Sequence, residues 1–346
     1  MNLINEIDFS KKNIKFLKYK TNNLNFINKI FYNLKFFKVL CLLFIYIFII
    51  ISIVNNLFES YNKFNNLKPN TSFNINKYNK DFNFAEYENH IITNKMKQKA
   101  SWILSMNEVN FLNGIIRKYK PKYCLEIGVA QGGSSILLLN AIQDIQNSIL
   151  ISIDLNKKVY NDPTKNTGYR VNEYFPELSK KWKLFTGDQP HKFLVKLKMK
   201  FDFVFLDSSH FAPGELINFI EVLPFLNQNC IIVFHDIIWH FTKKNKIYPS
   251  NIVLYPAIYG DKIPLITNNG YIDNIGAVFL YNCQENHYLD YFLLLLNFWE
   301  YMPSDNQIKD LIKFIKKYYK RKIYLKIFET AVKKNRISIE NHNKSY

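Results

Sequence analysis

Between residues 122 and 280, short apolar runs alternate with stretches of helical periodicity, and this alternation limits the fold more than any other feature of the chain. Candidate strands lie at 122–127, 149–153, 183–186, 201–206, 230–235 and 275–280, and candidate helices at 133–145, 172–182, 189–198 and 214–226. A strand with no polar alternation must be covered on both faces. Strands of that kind separated by helices predict an α/β fold, a doubly wound and mostly parallel sheet with helices on both sides. The segment Ser105–Arg117 adds one more helix ahead of the first strand, ending before Pro121.

In such sheets ligands bind beyond the carboxyl ends of the strands. The first strand ends in Glu126-Ile-Gly128 and runs through Gly132-Gly133 into a helix, so three of only 10 glycines fall within six residues. Glycine lets the backbone turn sharply and approach a ligand closely. The Gly-x-x-x-Gly spacing differs from the dinucleotide fingerprint, and no Gly-Lys-Ser/Thr of a phosphate loop follows. The next strands end in Asp154, Gly187-Asp188, Asp207 and His235-Asp236. Each acid alone could be a helix cap or a satisfied loop residue. Five consecutive strands carrying an acid at the same end are harder to attribute to capping.

The order Glu-x-Gly-x-x-x-Gly, strand-end Asp, Gly-Asp, and an apolar strand ending in Asp resembles class I S-adenosylmethionine-dependent methyltransferases over about residues 100–282. Within that class it looks most like the metal-dependent O-methyltransferases. The resemblance implies a Rossmann-like, seven-stranded, mostly parallel sheet and S-adenosylmethionine as cofactor. Glu126, Gly128 and Gly132 would line its methionine part, Asp154 would hold the ribose hydroxyls, and Asp188 would sit beside the adenine. Asp207, His235 and Asp236 would hold a divalent cation, Mg²⁺ or Mn²⁺, which orients an acceptor hydroxyl and lowers its pKa. The family usually shows Asp-Asn where this chain has His235-Asp236, and a nitrogen donor shifts preference away from Mg²⁺. Asp207 and Asp236 thus carry the catalytic assignment, with His210 as the alternative general base, or else a metal ligand or a surface loop residue. His191 and His240 read as structural or exposed. The expected acceptor is a hydroxyl of a sugar, a lipid-linked or another small molecule. Two other readings stand beside this one: a nicotinamide-dependent oxidoreductase on a related fold, and a non-catalytic membrane-tethered module.

Val39–Val54 is uncharged and almost wholly apolar, and with Phe36, Phe37 and a snorkelling Lys38 it reaches 19 residues. A bilayer core needs about 20 helical residues, so the run predicts a single transmembrane helix. The long basic preface and the lack of a cleavage site argue against a signal peptide. Eight lysines, Lys38 included, precede Val39, which by the positive-inside rule puts the N-terminus in the cytosol, a type II orientation. The sequon Asn70-Thr71-Ser72 would suit a stem on the far side. The expected organisation is therefore a basic cytosolic tail (1–35), a transmembrane helix (36–56), a stem (57–93), a methyltransferase domain (94–303) and a basic C-terminal helix and tail (304–346).

The formal net charge of +18 belongs mostly to the ends: net +6 over residues 1–38 and net +8 over 305–346. Nucleic-acid binding is not expected, since no aromatic-rich recognition module accompanies the charge, and AT-rich coding drift would yield the same abundance of Lys and Asn. In the C-terminal segment Ile308, Leu311, Ile312, Phe314 and Ile315 fall at amphipathic spacing. Such a helix either lies on a membrane or an acidic partner, or packs its stripe on the domain. Cys41, Cys124, Cys230 and Cys283 show no paired spacing and read as inert thiols, with neither a disulfide framework nor a zinc site.

Overall fold

The computed structural model describes residues 92–238, 250–266, 272–280 and 284–344, together with Gly270. The expected basic tail, the span 36–56 and nearly all of the stem lie outside the described residues, as do Cys41, His240 and Cys283. Among the described residues no helix is long and apolar enough to cross a membrane.

Helix α1 (Asn94–Lys99) is capped by Thr93, whose hydroxyl accepts from Met96 N. Helix α2 (Met106–Tyr119) opens on a capping box in which Ser105 and Glu108 satisfy each other's backbone N–H groups. It buries Val109, Leu112, Ile115 and Ile116 and stops at Lys120, whose φ of 48° ends the helix before Pro121.

The central sheet has seven strands: β1 (Tyr123–Ile127), β2 (Ile149–Asp154), β5 (Trp182–Thr186), β6 (Phe201–Leu206), β7 (Leu226–His235), β8 (Asp261–Ile266) and β9 (Ile272–Phe279). Their order is β5-β2-β1-β6-β7-β9-β8. The five strands from β5 to β7 are parallel, and β9 is inserted antiparallel between β7 and β8. From β1 the chain winds outward through β2 to β5 and then returns to lay β6 on the other side of β1. The strand order therefore reverses at β1 and β6, and the crevice beyond their carboxyl ends is the natural ligand position.

Strand residues alternate between two buried layers. Leu125, Ile127, Ile153, Val204 and Phe234 face α5 (Pro190–Leu197) and α6 (Gly214–Val222). Cys124, Leu150, Phe203 and Val233 face α2 and α3 (Gly133–Ile142). Coverage on both sides explains the absence of polar alternation in the sequence. The first layer continues without a break into α8 (Tyr288–Leu294), α9 (Asp305–Tyr318) and α10 (Lys322–Lys344), so the basic C-terminal segment shares the core of the sheet. Trp299 is fully buried there, its backbone N–H donating to Asn335 of α10 at 2.9 Å. Of the two readings of the amphipathic tail, the structure shows the packed one.

Several elements differ from expectation for local reasons. The helix expected over 172–182 divides into α4 (Tyr169–Tyr174) and a 3₁₀ stretch Pro176–Lys181, because Pro176 cannot continue the hydrogen-bond ladder. Pro224 likewise ends α6 at Val222 rather than 226. A small hairpin, β3 (Lys158–Val159) with β4 (Asp162–Asn166), is too polar to have been expected. Strand β8 was hidden by Pro264, which an edge strand tolerates. Helix α7 (Ser250–Ala257) precedes it.

Candidate active site

The turn after β1 is forced by its neighbours. Gly128 has φ +93°, and a Cβ there would lie 1.8 Å from the carbonyl oxygen of Asp207. Only glycine lets β1 leave the sheet this close to the end of β6. The two strand ends are also joined directly, Asp207 N donating to Ile127 O at 3.0 Å. At Gly132, φ +95°, a Cβ would lie 3.1 Å from the Cα of Gly168, whose N–H donates to Ala130 O at 2.8 Å. Arg170 completes that clasp by donating to Gln131 Oε1 and to Lys99 O, both at 2.7 Å.

Glu126 is fully buried beneath the turn. It accepts hydrogen bonds from Ser134, Ser135 and Ser152, each at 2.6 Å, and Ser152 in turn accepts from Trp182 Nε1 at 2.8 Å. Burial pushes its carboxyl up to about 7, against the pull of the three hydroxyls and with help from Asp207. Through these hydrogen bonds it ties the start of α3 and strand β2 to the end of β1, directly beneath the turn. Asp154 is half-buried at the end of β2. One oxygen accepts from Val129 N (2.9 Å) and Ala130 N (3.0 Å), the other from Asn156 N (2.8 Å). These three bonds fix the turn after β1 against the end of β2. Asp188 accepts from Gln189 N and from Lys192 Nζ, both at 2.9 Å, which anchors it to the first turn of α5.

Beyond β6 and β7 the charged side chains converge. One ligand atom each from Asp207, His210 and Asp236 lie within 4.8 Å of one another. His210 Nδ1 is 2.9 Å from Asp236 and 3.5 Å from Glu215, a residue with no solvent exposure. His235, nearly buried, has Nδ1 3.4 Å from Asp207 and 3.3 Å from Asp236, and Nε2 3.4 Å from Glu108. Both ring nitrogens of His235 thus face carboxylates, and His210 joins Asp207 and Asp236 in the convergent set.

Burial opposes charge on both imidazoles, but the surrounding acids outweigh it: Asp236 and Glu215 push His210 up to about 10, and Asp207, Asp236 and Glu108 raise His235 well above the ordinary range. Asp236, despite burial, is held far below the carboxylate range by the two imidazoles. Burial lifts Glu215 to about 7. Asp236 sits at φ 57°, an unusual conformation for a non-glycine residue, and Asn274 of β9 donates to its second oxygen at 2.6 Å.

A methyltransferase-domain family model matches residues 125–237, the stretch from β1 to the residue after Asp236. The chain carries a methyltransferase domain. No curated protein matches. Solved structures similar to this chain include an O-methyltransferase from Bacillus cereus in complex with SAH (15% identity, 56% of this chain and 96% of that one, TM-score 0.42). Others are the O-methyltransferase TomG from Streptomyces achromogenes in complex with SAM (17%, 57% and 95%, TM-score 0.41) and an SAH-bound methyltransferase from Podospora anserina (15%, 61% and 97%, TM-score 0.39).

Two residues of the methyltransferase domain's strand-end cluster were not read from the sequence. Glu108 is the third residue of α2 and closes its capping box, and Glu215 lies in the first turn of α6, where an acid favours the helix dipole. Both therefore had a sufficient local explanation. Their approach to His235 and His210 is a tertiary fact. His191 is buried and structural, its Nδ1 2.5 Å from Glu221.

Proposed function

We propose that this chain is an S-adenosylmethionine-dependent O-methyltransferase assisted by a divalent cation. It would be held on a membrane by residues 36–56 with its N-terminus in the cytosol, and act on a hydroxyl of a small-molecule or glycan acceptor. The observation that carries the reading is the convergence of Asp207, His210 and Asp236 at the switch point, against the glycine turn of a methyltransferase domain. S-adenosylmethionine supplies an electrophilic methyl group, so the protein has only to orient the acceptor oxygen and remove its proton. The turn from Gly128 to Gly132 offers backbone at close range, with Asp154 the acid nearest for a ribose diol.

The donor set fits a divalent cation. It holds two carboxylates and one imidazole, and behind them Glu215 is fully buried with its Oε2 lacking a hydrogen-bond partner among the described residues. The nitrogen donor favours Mn²⁺ over Mg²⁺. When bound, the cation would lower the pKa of the acceptor hydroxyl. Asp207 and Asp236 would hold it, with His210, a third exposed, on the open side. A second reading rests on the 2.9 Å contact between His210 Nδ1 and Asp236, which leaves the other ring nitrogen for general-base work. In that reading His210 must first give up the proton that its acids hold.

Equilibrium binding with the purified full chain tests the proposal. Asp207→Ala and Asp236→Ala are expected to keep S-adenosylmethionine affinity within a few-fold while weakening Mn²⁺ binding by about 100-fold or more. Unchanged Mn²⁺ binding would remove the cation from the scheme, and failure to bind S-adenosylmethionine at all would remove the enzyme assignment. Protease protection in sealed vesicles tests the orientation, and digestion of the domain from the cytosolic side would reverse it.

A further inference from the structure

Helix α9 keeps its apolar stripe inside: Ile308, Leu311, Phe314 and Ile315 are buried. What it leaves outside is positive charge. Lys309, Lys313 and Lys316 follow one another at intervals of four and three residues, which places them on one face of the helix, and Lys320 lies two residues beyond its last turn; all four are exposed. Lys317 flanks them, also exposed. Lys313 reaches Asp310 at 3.4 Å, but that carboxylate is already held by Lys192 of α5 at 2.8 Å. Lys309, Lys316, Lys317 and Lys320 have no carboxylate partner among the described residues. Arg336 pairs with Asp305, which lays α10 back along α9.

The direction of α9 shows what this face can do without closing the site. Its first half lies beside the start of α5, at the cofactor end of the sheet, through the Asp310–Lys192 pair. Its last turn lies against Phe225, just before β7, through a ring contact of 5.3 Å with Tyr318. Helix α9 therefore runs antiparallel to the parallel strands, and its outer face lies along the helical layer rather than across the strand ends.

We propose that the outer face of α9 docks the methyltransferase domain on an acidic phospholipid surface by charge alone. The proximity of such a surface rests on the membrane span proposed above; the face itself does not. With the apolar stripe already buried, nothing is left on this helix to insert into acyl chains, so attraction must come from lysines near anionic headgroups and must be screened by salt. Single-stranded nucleic acid is the poorer match, because such sites add aromatic stacking platforms to the charge, and Phe314 and Tyr319 are buried here.

The test is lysine acetylation footprinting of the full chain with vesicles of phosphatidylcholine, with or without phosphatidylglycerol. Labelling of Lys309, Lys313, Lys316 and Lys320 is expected to fall several-fold only with phosphatidylglycerol and to recover at high salt, while Lys158 in the β3–β4 hairpin keeps its labelling. Equal labelling in both vesicle types would overturn the proposal, and so would protection that appears only on adding an RNA oligonucleotide. If the chain does not float with phosphatidylcholine vesicles, the span fails. The docking face then still stands if flotation occurs with phosphatidylglycerol vesicles and is lost in a variant carrying Lys309→Gln, Lys313→Gln, Lys316→Gln and Lys320→Gln with an unchanged melting temperature. It falls if that variant floats equally well.

Discussion

Replacing Glu126 by glutamine isolates the electrostatic cost of an ionisable group sealed beneath the cofactor turn. The carboxyl has no solvent exposure and, with burial the main cause, titrates at about 7 in the fold against an ordinary 4.5. A carboxyl whose folded pKa is raised binds its proton more tightly when folded. Its effect is therefore neutral below the ordinary value, becomes destabilising as pH rises from 4.5 towards 7, and is constant above that. At about 1.4 kcal/mol per unit, the wild-type domain loses about 3 kcal/mol through this group across the window. Glutamine keeps the shape and cannot titrate. Whatever its amide loses or gains against Ser134, Ser135 and Ser152 is a constant offset, because those hydroxyls do not ionise in this range. Thermal melts of the full chain in detergent, followed by near-ultraviolet circular dichroism from pH 4.5 to pH 8, read out the difference. The melting temperature of Glu126→Gln relative to wild type should climb by about 6–12 °C across the window, using about 2–4 °C per kcal/mol for a domain of this size. A gap between the two proteins that stays constant with pH would refute the reasoning.

Gly128→Ala adds a methyl group 1.8 Å from the Asp207 carbonyl in a left-handed backbone, and should cost more than about 4 kcal/mol, seen as poor folding or a steep fall in melting temperature. Asn113 is buried in α2 with neither amide atom hydrogen-bonded among the described residues, so Asn113→Leu should stabilise the domain by about 1–3 kcal/mol in denaturant titrations. Glu108→Gln removes a carboxylate from one side of His235 while leaving the capping geometry; Mn²⁺ affinity should drop by about 10-fold with S-adenosylmethionine affinity unchanged.

The legible part of this fold is the part whose physics is local or periodic. Leu150–Ile151 and Phe203–Leu206 are apolar on both faces because helices cover both, and that pattern is visible without coordinates. Strand β8 was not, since Pro264 in an edge strand looks like a breaker, and the β3–β4 hairpin buries too little to leave a signature. The acids at the strand ends were found as a set, but their partners were not readable. Asp154 and Glu126 carry the expected residue types at the expected places, yet both hold the turn through hydrogen bonds to backbone or serine. Sequence spacing says nothing about which imidazole turns towards Glu108 on a distant helix, so the partners of His235 and His210 could not be read in advance.

Asp207 explains why the glycine turn and the charged cluster should fail together. Its carbonyl lies against Gly128, its N–H donates to Ile127, and its carboxylate approaches His235 at 3.4 Å. The backbone of one residue thus fixes the turn that would receive the cofactor, while its side chain belongs to the set that would receive the cation. A substitution that merely blocked the turn would lower S-adenosylmethionine affinity alone, and one that merely removed a donor would lower Mn²⁺ affinity alone. Gly128→Ala displaces the backbone common to both, so in whatever fraction folds, the two affinities must fall in parallel. Loss of one with the other intact would mean that the turn and the cluster are separate devices, and that the close approach of β1 to β6 serves only the sheet.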